Sequence, residues 1–302
     1  MDYLDTLKKA FKITLKNKFL WVFGILIGGA GGLNSFNFNR FTPNYQYESS
    51  AKPASELTNI QLMERIAEVW NQYGLLILTI TLILLLLAVF FFVMNIISQG
   101  ALISSVANLE EGKKTNFYHE ISVGWHKFWR VWGVMVVYFM ITMVTLIVLV
   151  VPVIIGIITK FYAVAIFWGV LMFFVCLVIW LIVSLISPYS VRVAVLDRLG
   201  IWASVKKSFE LFKKNWTEII VTYLVLVAVA FIYGLAISVF VLLIGAILFL
   251  IGYALWLAST TAGIIYATFA SLAFFICLVI LSGVYNTFTS SILTLTYLRL
   301  KK

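Results

Sequence analysis

Hydrophobic positions along this chain follow two patterns. Six runs are continuously apolar, at residues 19–35, 73–99, 132–158, 161–187, 217–249 and 260–290. Unbroken apolarity over roughly 20 residues predicts helices that cross a hydrocarbon core, whereas barrel strands would alternate lipid-facing and lumen-facing residues. The first run, with "FLWVFGILIGGAGG" at its heart, is the shortest and richest in glycine, and two readings stand for it: a minimal span or a re-entrant segment. The second pattern is amphipathic. In "SVKKSFELFKKNW", Trp202, Val205, Phe209, Phe212 and Trp216 recur three or four positions apart, while Lys206, Lys207, Glu210, Lys213 and Lys214 take the other face. Leu4, Leu7, Phe11 and Leu15 do the same at the N-terminus against Lys8, Lys9, Lys12 and Lys16, as do Phe117, Ile121, Trp125, Phe128 and Trp132 in the middle. Each stripe lies just before an outward-going run, which predicts three helices lying in the membrane interface.

The order of amphipathic helix, span out and span back therefore occurs three times, over residues 1–112, 113–200 and 201–302. Superposing Phe11 on Phe209 brings Lys16-Asn17 onto Lys214-Asn215, and Trp125 and Arg130 take the same places in the middle unit. The returning runs also close alike, in "SQGALISSVANLEEG", "SPYSVRVAVLDRLG" and "SSILTLTYLRLKK". The expectation is a single all-α membrane domain over 1–302, a polytopic bundle of about six spans, built from three repeats related by an axis along the membrane normal. Residues 36–72 read as an outer loop; from Thr58 it becomes a short amphipathic helix, with Thr58 and Gln61 at capping-box spacing.

Composition sharpens this. The 302 residues are 63% hydrophobic and only 11% charged, with mean hydropathy +1.06, against about 25% charged in soluble domains. Of the 22 lysines and arginines, only Arg40, Lys52, Arg65 and Lys160 fall on the side of the 36–72 loop. By the positive-inside rule both termini are cytoplasmic, and the protein is integral to the plasma (cytoplasmic) membrane, a bacterial inner membrane. The five N-terminal lysines before an apolar run imitate a signal peptide, but no small-x-small site follows, so they are read as a retained helix.

Candidate chemistry is sparse. The twelve carboxylates, His119 and His126 all fall outside the mid-membrane stretches, where transporters and intramembrane hydrolases place ionisable groups. Cys176 and Cys277 sit in apolar runs as core residues, and no metal-ligand, nucleophile or phosphate-loop motif occurs. No cofactor, metal or catalytic residue is expected. The net charge of +10 lies on short linkers, too small for a nucleic-acid-binding domain, and points instead to anionic lipid. The candidate headgroup contacts are Lys12, Lys16, Lys127, Arg130, Lys206, Lys207, Lys213 and Lys214. The polar features within the runs are Asn95, Gln99 and Asn286, with Pro188 marking a kink; they read as interhelical hydrogen bonds or as one cavity open to the cytoplasm. Small residues four apart (Gly24, Gly28, Gly32; Ala230, Gly234, Ser238; Gly263, Ala267, Ser271) predict close helix approach within the chain or between copies.

The "FKKNW" and "LKNKFLW" ends of the inner helices, together with "GALISSVANLEEGKK" closing a returning span, resemble the membrane domain attached to some bacterial glycerophosphoryl diester phosphodiesterases and its stand-alone relatives. That resemblance implies a membrane module without phosphodiesterase activity, because the fused members carry catalysis on a separate soluble barrel. Two functions are expected of such a chain. One is a non-catalytic protein that binds or organises lipids or a membrane-protein partner; the other is a transporter or flippase for a small or lipid-like substrate.

Overall fold

The computed structural model describes residues 2–32 and 59–301. Among them are nine helices: α1 (Tyr3–Lys16), α2 (Phe19–Gly32), α3 (Asn59–Glu110), α4 (Phe117–His126), α5 (Phe128–Ile158), α6 (Tyr162–Leu196), α7 (Ile201–Lys214), α8 (Trp216–Ala258) and α9 (Thr260–Leu300). The 36–58 part of the expected outer loop, with the capping residue Thr58, lies outside the described residues; 59–72 form the start of α3.

Five helices, α3, α5, α6, α8 and α9, are long and apolar enough to cross a membrane. The sixth expected span is represented by α2, whose 14 residues rise about 21 Å against a core of roughly 30 Å. The long helices also outrun the apolar runs that announced them. The run expected to end at 187 continues as α6 through Pro188 to Leu196, and that expected to end at 290 continues as α9 to Leu300. Backbone hydrogen bonding carries a helix past the point where its side chains turn polar.

The chain divides into two compact units, residues 29–95 and the rest. In the first, the described side chains of α3 are mostly exposed, as a lipid-facing surface would be. In the second, buried side chains concentrate at the closing ends of α3, α6 and α9, over 96–107, 185–195 and 287–297. Three cores form there. One joins Ala10 of α1, Leu20 and Phe23 of α2, Ala101, Leu102 and Val106 of α3 and Ile292 and Leu295 of α9. Another joins Ile96 and Ile103 of α3, Val131, Val134 and Tyr138 of α5 and Ile186, Val191 and Val195 of α6. The third joins Tyr189 and Val193 of α6, Ile219 of α8 and Tyr297 of α9.

Small residues set the spacing. A Cβ on Gly24 would stand 2.0 Å from the Gly283 carbonyl, so α2 and α9 meet backbone to backbone; Gly28 lies beside Asn286 and Ser282 in the same seam. Of the expected small-residue stripes, the first is packed at Gly24 and Gly28 and the third at Gly263, against Trp256, while Gly234 faces open space among the described residues.

Candidate functional site

Two of the three short helices, α1 and α7, present three faces, not two, while α4 carries no lysine of its own. On α1 the buried positions are Thr6, Ala10 and Thr14, on α7 Ser204 and Ser208, and on α4 Glu120 and Gly124. On α1 and α7 the hydroxyls bond to their own helix one turn back (Thr6 to Asp2 O at 2.9 Å, Thr14 to Ala10 O at 2.9 Å, Ser204 to Gly200 O at 2.9 Å, Ser208 to Ser204 O at 2.7 Å), so the face that docks is small and already satisfied; α4 instead buries Glu120, whose Oε1 accepts from Asn108 at 3.0 Å and whose Oε2 has no hydrogen-bond partner among the described residues. The apolar stripes divide: Leu7 on α1, Phe117 and Ile121 on α4, and Val205 and Phe212 on α7 pack on the cores, while Leu4 and Phe11 on α1, Tyr118 and Trp125 on α4, and Trp202, 71% exposed, on α7 stay outside. Exposed aromatics beside lysines form a surface suited to a headgroup boundary rather than to water.

The expected headgroup contacts divide by environment. Lys12 and Lys16 line a cavity of about 710 Å³ between α1 and the close of α3. Lys206 borders a smaller one, about 350 Å³, with Trp202, Phe209 and Tyr138. Lys213 stands 4.8 Å from the centroid of the Phe209 ring, and Lys214 is exposed. Lys127 occupies the α4–α5 junction, where burial and the nearby Arg198 push its ammonium below the ordinary lysine range, with Glu120 acting in the opposite sense. Arg130 lies in the first turn of α5. Lys207 is engaged structurally: it donates to Asp197, which also accepts from Lys301 at 2.6 Å and Tyr297 at 2.9 Å. The Asp197 side chain is only 5% exposed. Burial alone would raise its carboxyl, but hydrogen bonds from Lys207, Lys301 and Tyr297 together hold it below the usual carboxylate range.

The termini meet. Arg299 donates to the Asp2 carbonyl at 2.8 Å and pairs with Asp5, and Lys9 pairs with Glu110 at 2.9 Å. The N-terminal helix, the middle of α7 and the ends of α3, α6 and α9 are thus knit by charge.

Of the expected polar features, Asn286 and Pro188 take different partners. Asn286 donates to the Gly24 carbonyl at 3.3 Å and to Ser282 Oγ at 3.4 Å, between α9 and α2. The Pro188 carbonyl accepts from Arg192 at 2.7 Å, and Asn95 and Gln99 lie half-buried on α3. None of the four lines the cavities described above.

Arg192 is the residue that sequence reasoning missed, having counted it among the inner linker bases. It is 4% exposed, inside α6, with no carboxylate at ion-pair distance among the described residues. Its Nε donates to Thr294 Oγ1 at 3.2 Å and its Nη2 to Ser290 O at 3.2 Å and Ser290 Oγ at 3.3 Å, pinning α6 to α9. The available signal was its flank, "VRVAV", which is apolar on both sides as a helix interior is.

Residues 16–300 match the model of a protein family described as a family of unknown function (DUF7544), and the chain belongs to that family. No curated protein and no solved structure matches it. Nothing in these comparisons links it to the phosphodiesterase membrane domain, a resemblance that rests on the quoted motifs alone.

Proposed function

We propose that this DUF7544 member, a multi-pass membrane protein, is a non-catalytic module that binds and organises anionic lipid at the cytoplasmic face of the plasma membrane. The observation that carries the reading is the three-faced short helix: a small face docked on the bundle, an aromatic face left exposed, and a lysine face beside it. Each lysine near an anionic leaflet contributes about 1 kcal/mol, and the aromatic face buries in the headgroup boundary. The meeting of the termini at one end, where the basic segments gather, supports cytoplasmic termini. A membrane-protein partner would dock on the same surface.

A three-fold repeat accords with this plan. The alignment of Phe11, Trp125 and Phe209 also superposes buried Ala10, Gly124 and Ser208, and buried Thr6, Glu120 and Ser204. In each core the outgoing helix (α2, α5 or α8) wedges between two returning ones, α9 with α3, α3 with α6, and α6 with α9. The middle unit departs from the others in breaking its helix at Lys127, one turn earlier than Asn17 and Asn215.

The transport reading has Arg192 in its favour, because an ionisable group inside a span is costly and is commonly kept for use. Its four hydrogen bonds, however, give it a sufficient structural role in the α6–α9 seam.

The test replaces Lys206, Lys213 and Lys214 with glutamine, leaving the structural Lys207 in place, and counts anionic lipids retained by the purified protein in native mass spectra. The reading expects retention to fall while zwitterionic lipid is unaffected. Unchanged retention of anionic lipid would refute it.

A further inference from the structure

The cavity beside α1 differs from the other basic surfaces in being flanked by lysines from two segments of the chain. Lys9, Lys12 and Lys16 approach it from one helix, and Lys113 and Lys114 from the segment after α3. That segment is aimed by its backbone. Gly112 (φ 77°) ends α3 in a Schellman turn, with Gly112 N donating to Leu109 O at 3.1 Å and Lys113 N to Asn108 O at 2.9 Å. The Lys9–Glu110 pair at 2.9 Å holds the two walls together. Among the described residues Glu110 is the only carboxylate in the lining, Lys113 pairs with Glu111, and no carboxylate pairs with Lys12, Lys16 or Lys114. The Thr115 hydroxyl, also in the lining, is shielded from solvent with no hydrogen-bond partner among the described residues, a condition that is costly for a buried donor. Next to it, α4 starts at Asn116 without a side-chain cap, so its first-turn N–H groups and positive dipole end add to the field.

We infer that this cavity is a discrete site for a phosphate group, with the lysines neutralising its charge and Thr115 donating to an oxygen. At about 710 Å³ it admits a phosphorylated headgroup or a small soluble phosphate compound. The other side of α1 favours the lipid source. Leu7, Phe11 and Leu15 there border an apolar groove of about 610 Å³ against α8 and α9, with Lys8 at its edge. The inference rests on the anionic-lipid reading and narrows it to one stoichiometric site.

The experiment titrates detergent-purified full-length protein with dihexanoyl phosphatidic acid, dihexanoyl phosphatidylcholine and inorganic phosphate, by calorimetry. The site predicts saturable binding of the phosphatidic acid, one per chain. Lys113→Gln with Lys114→Gln, both exposed and outside the cores, should weaken it by about tenfold or more. Lys206→Gln with Lys213→Gln, neither of which lines the cavity, should leave it within about twofold. Phosphatidic acid binding well above inorganic phosphate assigns the source to a lipid headgroup, and equal binding of the two assigns it to a soluble phosphate compound; either supports the site. Absence of saturable binding in the wild type, or binding insensitive to Lys113→Gln/Lys114→Gln, overturns it. The α7 substitutions described above test anionic-lipid retention separately, so loss of this pocket and loss of the broader reading are distinguishable.

Discussion

Two stretches of α9 show opposite relations between hydrophobicity and burial. The outer stretch carries Ile264, Ile265, Phe269, Leu272, Phe275 and Ile276, and all six are exposed. The inner stretch buries Gly283, Thr287, Ser291, Thr294 and Thr296 as fully as Ile292, Leu295 and Tyr297. In a soluble protein the order would be reversed. In a bilayer, lipid is as apolar as leucine, so burying leucine gains little, and helices associate through small residues that allow close contact and through hydrogen bonds. The same division runs through α6, whose closing end holds the buried Arg192 while Phe167, Phe173 and Phe174 are exposed.

The largest effect that would break this contrast comes from glycine. Gly24→Leu should drive a side chain into the Gly283 carbonyl and destabilise the fold by about 3 kcal/mol or more, while Gly234→Leu, with open space around it, should stay within about 0.5 kcal/mol. Unfolding in an SDS titration measures both, and equal effects would show that the inner end is no more tightly packed than the outer.

Next comes Arg192→Ala, which removes the α6–α9 pin and leaves Ser290 and Thr294 partnerless across the seam; a loss of about 2–3 kcal/mol is expected in the same titration. Arg192→Lys should recover only part of it, because an ammonium cannot reproduce the planar fork.

Asp197 offers a smaller effect with a pH signature. Its carboxyl is held below the ordinary range in the folded protein, so its contribution is full above the unfolded value of about 4 and is lost as pH falls through the depressed folded value. Asp197→Asn should cost about 1–2 kcal/mol at neutral pH, the lysine partners being near half-exposed, and should flatten the acid limb of the stability curve. Replacing Lys206, Lys213 and Lys214 with glutamine should have the least effect on stability, within about 0.5 kcal/mol, even as lipid retention falls.

Much of this fold was legible in the apolar runs, because twenty consecutive apolar residues have few other structures open to them. The starts of α5, α6, α8 and α9 fall within four residues of the runs that announced them. Their inner ends were less legible, since hydropathy falls at Ser187 and Pro188 while the helix continues to Leu196. That displacement put Arg192 in a linker. The faces of α1 and α7 were half-read: division into apolar and charged positions located the lipid and lysine faces but passed over Thr6, Ala10, Ser204 and Ser208, whose value lies in being small. Lys207 reads from the sequence like its neighbours, and only the return of Asp197 and Lys301 to the same place distinguishes it.

The central claim is that the exposed aromatic faces of the short helices lie in the headgroup boundary. It is tested most directly in lipid nanodiscs with a variant retaining Trp202 as its single tryptophan, comparing quenching by lipids brominated near the headgroup end with quenching by lipids brominated near the chain terminus. Strong quenching by the shallow bromines, weak quenching by the deep ones, and little by aqueous acrylamide are expected. Efficient acrylamide quenching with no response to either bromolipid would place α7 in water and contradict it.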